Sequence, residues 1–516
     1  MLDATPLLRL YGRARLAHLA RQDPARTQER QLMRLVRRAH ATRFGRDHGF
    51  DAIRSVADFQ RRVPLRRYED FWEAYFQDAF PVLTDLAWPG TIPYFAVTSG
   101  TSSGRTKHIP VSRAMLRSNN GAGVDLYAFH LANRPRSRVL AGRNFMLGGS
   151  VDLKELAPGV ASGDLTGIVQ NEVPAWAPSF IFPPRELAHE AAWERKMERI
   201  GRASLSSDIR TIAGTPSWLL LFFDRLAEIG GRGRRLVEYY PNLELLSHGG
   251  VNSAPYRPQF EAWLEGSHAE LREVYPASEG FIAMADRGPG EGLRMVLDRG
   301  LFYEFVPVED LDAPAPTRHW IADAEPGRNY ALVLSSCAGL WAYVLGDTVR
   351  LVERDPPRLI VSGRTSYFLS AFGEHLTGEE IEQAVADAAA AIGKAVTDFT
   401  VGALFPEGEE TRGGHLFIVE LTEAGIAPER LAELARRLDR RLAEQNEDYE
   451  AHRSQGFGMR GPAVIQVAPG TFAAWMRSRG KLGGQNKVPR VANDPDLFVS
   501  LRQFAEGHTL GRAEAE

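Results

Sequence analysis

Leu32, Leu35, Val36 and Ala39 recur at the i, i+3, i+4, i+7 spacing of a single helix face, with arginines on the other side. The eleven arginines of residues 1–46 face only Asp3, Asp23 and Glu29, and the period reads them as the wet side of helices rather than a basic arm. Further along, the pattern shortens. YFAVTS (94–99), YALVLSS (330–336), LWAYVLGD (340–347) and RLIVSG (358–363) are short apolar runs bounded by turn residues, and they predict strands. Thr215 followed by Pro216 predicts a helix start, running through WLLLFFDRLAEIG. YRPQFEAWLEG predicts another helix, and the Pro/Gly-rich stretches at 286–292 and 312–316 predict loops.

After Gly363 the texture changes. Thr377 and Glu380 have capping-box spacing ahead of a helix over EIEQAVADAAAAIG. DFTVGALF and HLFIVEL predict a strand pair, APERLAELARRLDRRLAEQNEDYEAH one long helix, AVIQVAP a strand and GTFAAWMRSRG a short helix. This order suits a small α+β unit, which places a domain boundary near Arg364–Phe368 and predicts domains 1–365 and 366–516.

Composition narrows the class. In 516 residues, Lys+Arg 62 against Asp+Glu 65 gives a net charge of -3, with 44% hydrophobic and 25% charged residues. That is a globular balance with no basic excess for nucleic acid. A single cysteine, Cys337, excludes an intrachain disulfide and a cysteine zinc site, and suits a reducing compartment. Arginines interrupt the apolar stretches of the first 22 residues, so no secretory core is expected. The longest apolar run, Trp218–Phe223, is far below the ~20 residues a bilayer requires. The expectation is a cytoplasmic protein with neither a membrane nor a nucleic-acid partner.

The candidate chemistry concentrates in VTSGTSSGRTKHIP (97–110). Glycines let backbone N–H groups converge, hydroxyls add donors and Lys107 adds a compact cation, a set suited to a triphosphate. Gly100 and Gly104 are spaced wrongly for a Walker loop. Gly100-Thr101-Ser102-Ser103-Gly104 formally matches a nucleophile elbow around Ser102, but Pro110 bars the helix that should follow. A plain Ser/Gly loop is the third reading. Four further pieces stand out: SHGGVN (247–252), with glycines for close approach to a flat ring; YPASEG (275–280), an aromatic and a carboxylate; WAYVLGDTVRL (341–351), read as a strand ending at Gly346-Asp347; and Arg364, where the texture changes.

Taken together in this order, the pieces resemble the adenylate-forming superfamily, and more closely the Gretchen Hagen (auxin-responsive promoter) family of acyl acid amido synthetases. FQRRVPLRRYEDF (59–71) and GPAVIQVAPGTFAAWMRSRGKLGGQNKVPR (461–490) extend the resemblance over nearly the whole chain. It implies an α/β fold: a large N-terminal adenylate-forming domain of mixed sheets and helices with a smaller mobile α+β C-terminal domain. It implies ATP and Mg2+ as cofactors, and a carboxylic acid and an amine, usually an amino acid, as substrates. Thr98, Ser99, Gly100, Thr101, Ser102 and Lys107 then fall on the phosphate-binding motif. Gly249 and Gly250, with Tyr275, Pro276, Ala277 and Ser278, fall on the adenine-binding stretches. Glu279 falls on the magnesium-linked glutamate, Asp347 on the ribose-binding aspartate, Arg364 on the arginine before the hinge, and Lys487 on the catalytic lysine. Thr98 and Pro276 depart from the common serine and glycine. His108 and His375 are candidates for the amine's base by neighbourhood, with structural roles as the alternative. A coenzyme A ligase, a serine hydrolase at Ser102 and a non-catalytic nucleotide-binding module are the rival functions. The acid, the amine and the oligomeric state are not written in these motifs. Aromatics Trp176, Phe180, Phe182 and Trp218 are the candidates for an acyl pocket.

Overall fold

A computed structural model describes the chain apart from residues 1–2, 99–106, 149–150, 174–177, 190–192, 250–255, 289, 312, 365–367, 370, 375, 407–411, 424, 454–457, 480–488 and 516. The chain divides into two compact units, Met1–Thr98 with Lys107–Thr365, and one from Ser366 to Glu516.

The amphipathic helix forms as the period predicts. It spans Pro24–Ala39, Asp23 accepts the Arg26 N–H at its start, and Leu32, Leu35, Val36 and Ala39 are buried. Its apolar face joins the main core, where Phe44, Phe50, Phe59 and Trp341 cluster ring against ring.

Behind that core runs a mixed sheet of twelve strands among the described residues. In spatial order the strands begin at His319, Leu301, Asn329, Tyr343, Pro357, Leu293, Gly280, Glu270, Leu245, Ile209, Arg143 and Ile181. The last five are mutually parallel, and the rest pair antiparallel. Helices Pro216–Gly230 and Arg257–Trp263 make the crossovers between the parallel strands. Thr215 is the N-cap of the first as expected, though its side chain makes no capping bond. Glu270–Ala277 is the last parallel strand and turns back at once into Gly280–Met284. The switch from parallel to antiparallel pairing therefore falls at the carboxyl end of that strand, where open α/β sheets hold their ligands.

A second, four-stranded sheet contains Tyr94–Thr98 paired antiparallel with Lys107–Val111, with Thr98 opposite Lys107. The described residues on both sides of the serine-rich segment are strands, and Lys107–Val111 stands where the helix of a nucleophile elbow would run, which disfavours that reading of Ser102.

The strand expected to end at Gly346-Asp347 does not end there. It runs Tyr343–Arg354, and Asp347 lies inside it, opposite Arg364. Against the other neighbour, Val333 pairs Val344 and Ala331 pairs Thr348, so Leu332 alone opposes Leu345, Gly346 and Asp347. Gly346 at φ +97 allows this bulge, which breaks the alternation and re-aims Asp347.

In the smaller unit, strands Val396–Leu404, Gly414–Leu421, Ala463–Val467 and Thr509–Glu514 form one sheet. The single long helix predicted there is two, Pro428–Gln445 and Glu447–Arg453. Asn446 leaves helical geometry at φ -139 and ψ 112, and its Oδ1 accepts the Tyr449 N–H, starting the second helix. Helix Pro495–Glu506, capped by Asp494, and the final strand were not anticipated. Among the described residues no helix is long and apolar enough to cross a membrane.

Candidate active site

Lys107 opens its strand with a side chain only 10% exposed. A buried ammonium needs compensation. Part comes from segment 66–71. Tyr68 lies with its ring 5.2 Å from Lys107 Nζ, and Glu69 Oε1 is 3.6 Å from the same nitrogen. The Tyr68 hydroxyl accepts the His108 N–H at 2.9 Å, which ties this segment to the strand.

Glu279 occupies the two-residue turn between Ala277 and Gly280, so a tight hairpin aims its carboxyl. It is buried. Burial pushes its carboxyl up to about 7; Asp347 adds to the rise, while its own backbone, Lys107 and a hydrogen bond with Tyr343 oppose it. Tyr343 is itself buried and held well above the usual phenol range, by burial first and then by Glu279 and Glu69. On the other side, the Tyr275 hydroxyl donates to Asp347 Oδ2 at 2.5 Å. Among the described residues, Lys107 and the carboxylates of Glu69, Glu279 and Asp347 therefore share electrostatic reach near the switch point of the sheet.

The structure brings together Lys107, Glu279, Asp347 and Tyr275 from the sequence-predicted set. Thr98 sits opposite Lys107 in the pair of strands. Pro276 pairs with Phe281, and Ala277 and Ser278 lead into the Glu279 turn. Gly249 ends its strand, and a Cβ there would stand 2.2 Å from the Val274 carbonyl oxygen. Its lack of a side chain thus has a reason within the sheet itself. Arg364 is the backbone partner of Asp347. Ser99, Gly100, Thr101, Ser102, Gly250, Lys487, His375 and Trp176 lie outside the described residues. His108 packs its ring among Trp72, Phe80 and Phe95, a structural setting. Phe182 is core, edge-on to Phe145. Sequence reasoning did not single out Tyr68, Glu69 or Tyr343; all three stand in the quoted segments RRYEDF and LWAYVLGD, which supplied the only signal.

Three family models match the chain: the GH3 family N-terminal domain over 14–146 and 156–269, the GH3 family central domain over 294–364, and the GH3 family C-terminal domain over 379–496. The chain belongs to the GH3 family. Its relatives include a rice protein (Oryza sativa subsp. japonica) described as a probable indole-3-acetic acid-amido synthetase, GH3.2, 24% identical over 90% of this chain and 88% of that one. Jasmonoyl--L-amino acid synthetase JAR4 of Nicotiana attenuata is 21% identical over 73% of this chain and 76% of its own. Among solved structures, AtGH3.15 acyl acid amido synthetase in complex with 2,4-DB superposes with a TM-score of 0.61 at 17% identity, covering 98% and 97% of the two chains. A 2-hydroxyisobutyryl-CoA ligase in complex with 2-HIB-AMP and CoA gives 0.57 at 17% identity, covering 94% and 92%. This GH3 chain therefore has the mixed α/β fold of adenylate-forming enzymes, with a large N-terminal and a smaller C-terminal domain.

Among the described residues no group of three or more His, Cys, Asp or Glu could hold a metal ion. A divalent cation held largely by phosphate oxygens and water asks for one or two carboxylates, and a buried carboxyl beside Asp347 suits that demand. Glu279 is the residue that fits.

Proposed function

We propose that this GH3-family chain is an ATP-dependent acyl acid amido synthetase acting in the cytoplasm. The observation that carries the reading is the meeting of Lys107, Glu279 and Asp347 at the switch point, in a chain whose relatives are named as amido synthetases.

A carboxylate oxygen of the acid attacks the α-phosphorus of ATP. The new P–O bond forms as the bond to the bridging oxygen of the β-phosphate breaks, giving acyl-adenylate and pyrophosphate. Two anions must approach each other, so local positive charge decides the rate. Lys107 supplies it from the chain, and residues 98–102 offer hydroxyl and N–H donors to the phosphates. Magnesium bound at Glu279 would add Lewis-acid charge neutralisation. Asp347, fixed by Tyr275, accepts hydrogen bonds from the ribose hydroxyls, and Gly249, Gly250 and Tyr275–Ser278 border the adenine. The unit from Ser366 onwards is the mobile domain: Lys487 serves adenylation, and rotation about the segment after Arg364 opens the second half-reaction. There the amine nitrogen attacks the acyl carbon, the bond to the phosphate oxygen breaks, AMP leaves and the nitrogen loses a proton.

The test is acid-dependent exchange of pyrophosphate into ATP, followed by product analysis with amino acids. Similarity in fold to a CoA ligase favours one second reading, in which the thiol of coenzyme A takes the acyl group. Offering coenzyme A and an amino-acid mixture in competition separates the two by the mass of the product.

A further inference from the structure

The backbone around Arg66 is bound to the start of the strand that carries Tyr343. The Arg66 N–H donates to the Ala342 carbonyl at 3.0 Å, and the Val344 N–H donates to the Arg66 carbonyl at 2.9 Å. Asp70 accepts the Arg67 N–H at 2.7 Å and fixes the turn that follows. Residues 68 and 69 are thereby held against Lys107 by main-chain bonds at long sequence range. The Tyr68 ring takes one side of the ammonium, and Glu69 faces it at 3.6 Å, beyond direct hydrogen-bond length but well within ion-pair reach.

The two partners differ in exposure. The Lys107 side chain is 10% exposed and that of Glu69 33%. A solvated carboxylate at this distance compensates a buried ammonium without locking it. A polyphosphate, carrying several negative charges and close acceptor oxygens, displaces such a partner readily.

We infer that Glu69 is a positioning residue for Lys107, holding the ammonium over the Tyr68 ring and ceding it to the polyphosphate of an arriving nucleotide. This rests on the amido synthetase reading for its ligand and adds a residue to that site. Glu69 then competes with phosphate for one cation, so removing its charge strengthens polyphosphate binding. A residue that merely supported the fold would do the opposite.

The experiment is calorimetric titration of the full chain with inorganic pyrophosphate and magnesium, and separately with ATP and magnesium. Glu69→Gln is expected to bind both about fivefold more tightly. Glu69→Asp, whose charge is withdrawn by one methylene, is expected to move about twofold in the same direction. Both gains should vanish in a Lys107→Gln background, which shows that they act through that ammonium. Unchanged or weaker binding in Glu69→Gln, or a gain that persists without Lys107, overturns the inference. A wild-type protein that exchanges pyrophosphate while Glu69→Gln binds it unchanged defeats the inference alone. A wild-type protein that binds pyrophosphate tightly but never exchanges it defeats the synthetase reading, and the Glu69 titrations still report on Lys107.

Discussion

The Tyr275 hydroxyl donates a 2.5 Å hydrogen bond to Asp347 Oδ2, linking the last parallel strand to the bulge of a strand four places along the same sheet. The aspartate is thus oriented before any nucleotide arrives. Asp347→Ala is expected to weaken ATP binding by about 10- to 100-fold, since a hydrogen bond to a charged group is worth about 1.5–3 kcal/mol. Tyr275→Phe keeps the ring and releases the carboxylate, so about a tenfold loss is expected from disorder of the acceptor. Calorimetry on each variant reads both effects.

Glu279 has a carboxyl that burial drives up, close to Asp347 and Lys107. Glu279→Gln keeps the shape and removes the charge. Pyrophosphate exchange should fall by about 100-fold or more, while circular dichroism stays unchanged. Raising the magnesium concentration should recover part of the loss.

Lys487→Ala is expected to lower adenylate formation by about 100-fold and leave ATP affinity nearly intact. Single-turnover detection of the acyl-adenylate separates the two. Equal loss of ATP binding would move this lysine from the chemical step to nucleotide recognition.

His248, the residue before the last in the strand Leu245–Gly249, is stacked on Phe260 with ring centroids 5.2 Å apart, and among the described residues its Nδ1 meets no hydrogen-bond partner. Burial, and then Arg257, lower its pKa from 6.5 to about 4. The unfolded chain therefore takes up a proton below about pH 6.5 that the folded chain refuses. The stability present above pH 6.5 is lost as the pH falls towards 4, by up to about 3 kcal/mol. Thermal unfolding of wild type from pH 7.5 to 4.5 should show the decline, and His248→Leu should flatten it.

Lys107, Glu279 and Asp347 were legible as candidates because each charge borders an apolar run: Lys107 opens KHIPV, Glu279 follows YPAS and Asp347 follows WAYVLG. Their grouping was not legible, because Lys107 stands in the four-stranded sheet while Glu279 and Asp347 belong to the twelve-stranded one. Glu69 and Tyr68 were not legible as site residues, because their place depends on the Arg66–Val344 bond, which joins positions far apart in sequence. The Asp347 bulge likewise depends on what opposes Leu332 across the sheet, and local pattern carries no trace of that. The break at Asn446 was hidden because the helical period continues through it; the side chain bonds to Tyr449 and Glu380 decide the matter. Helix Pro495–Glu506 did have a signal, Asp494 before Pro495, in a stretch where the hydrophobic period is short.

The most direct measurement is the return of labelled pyrophosphate into ATP, run with magnesium and a panel of aryl and alkyl carboxylic acids. The account predicts exchange that requires one class of acid, proceeds without any amine, and collapses in Lys107→Ala and Glu279→Gln. Exchange that is absent with every acid while ATP still binds, or that survives both substitutions, would contradict it.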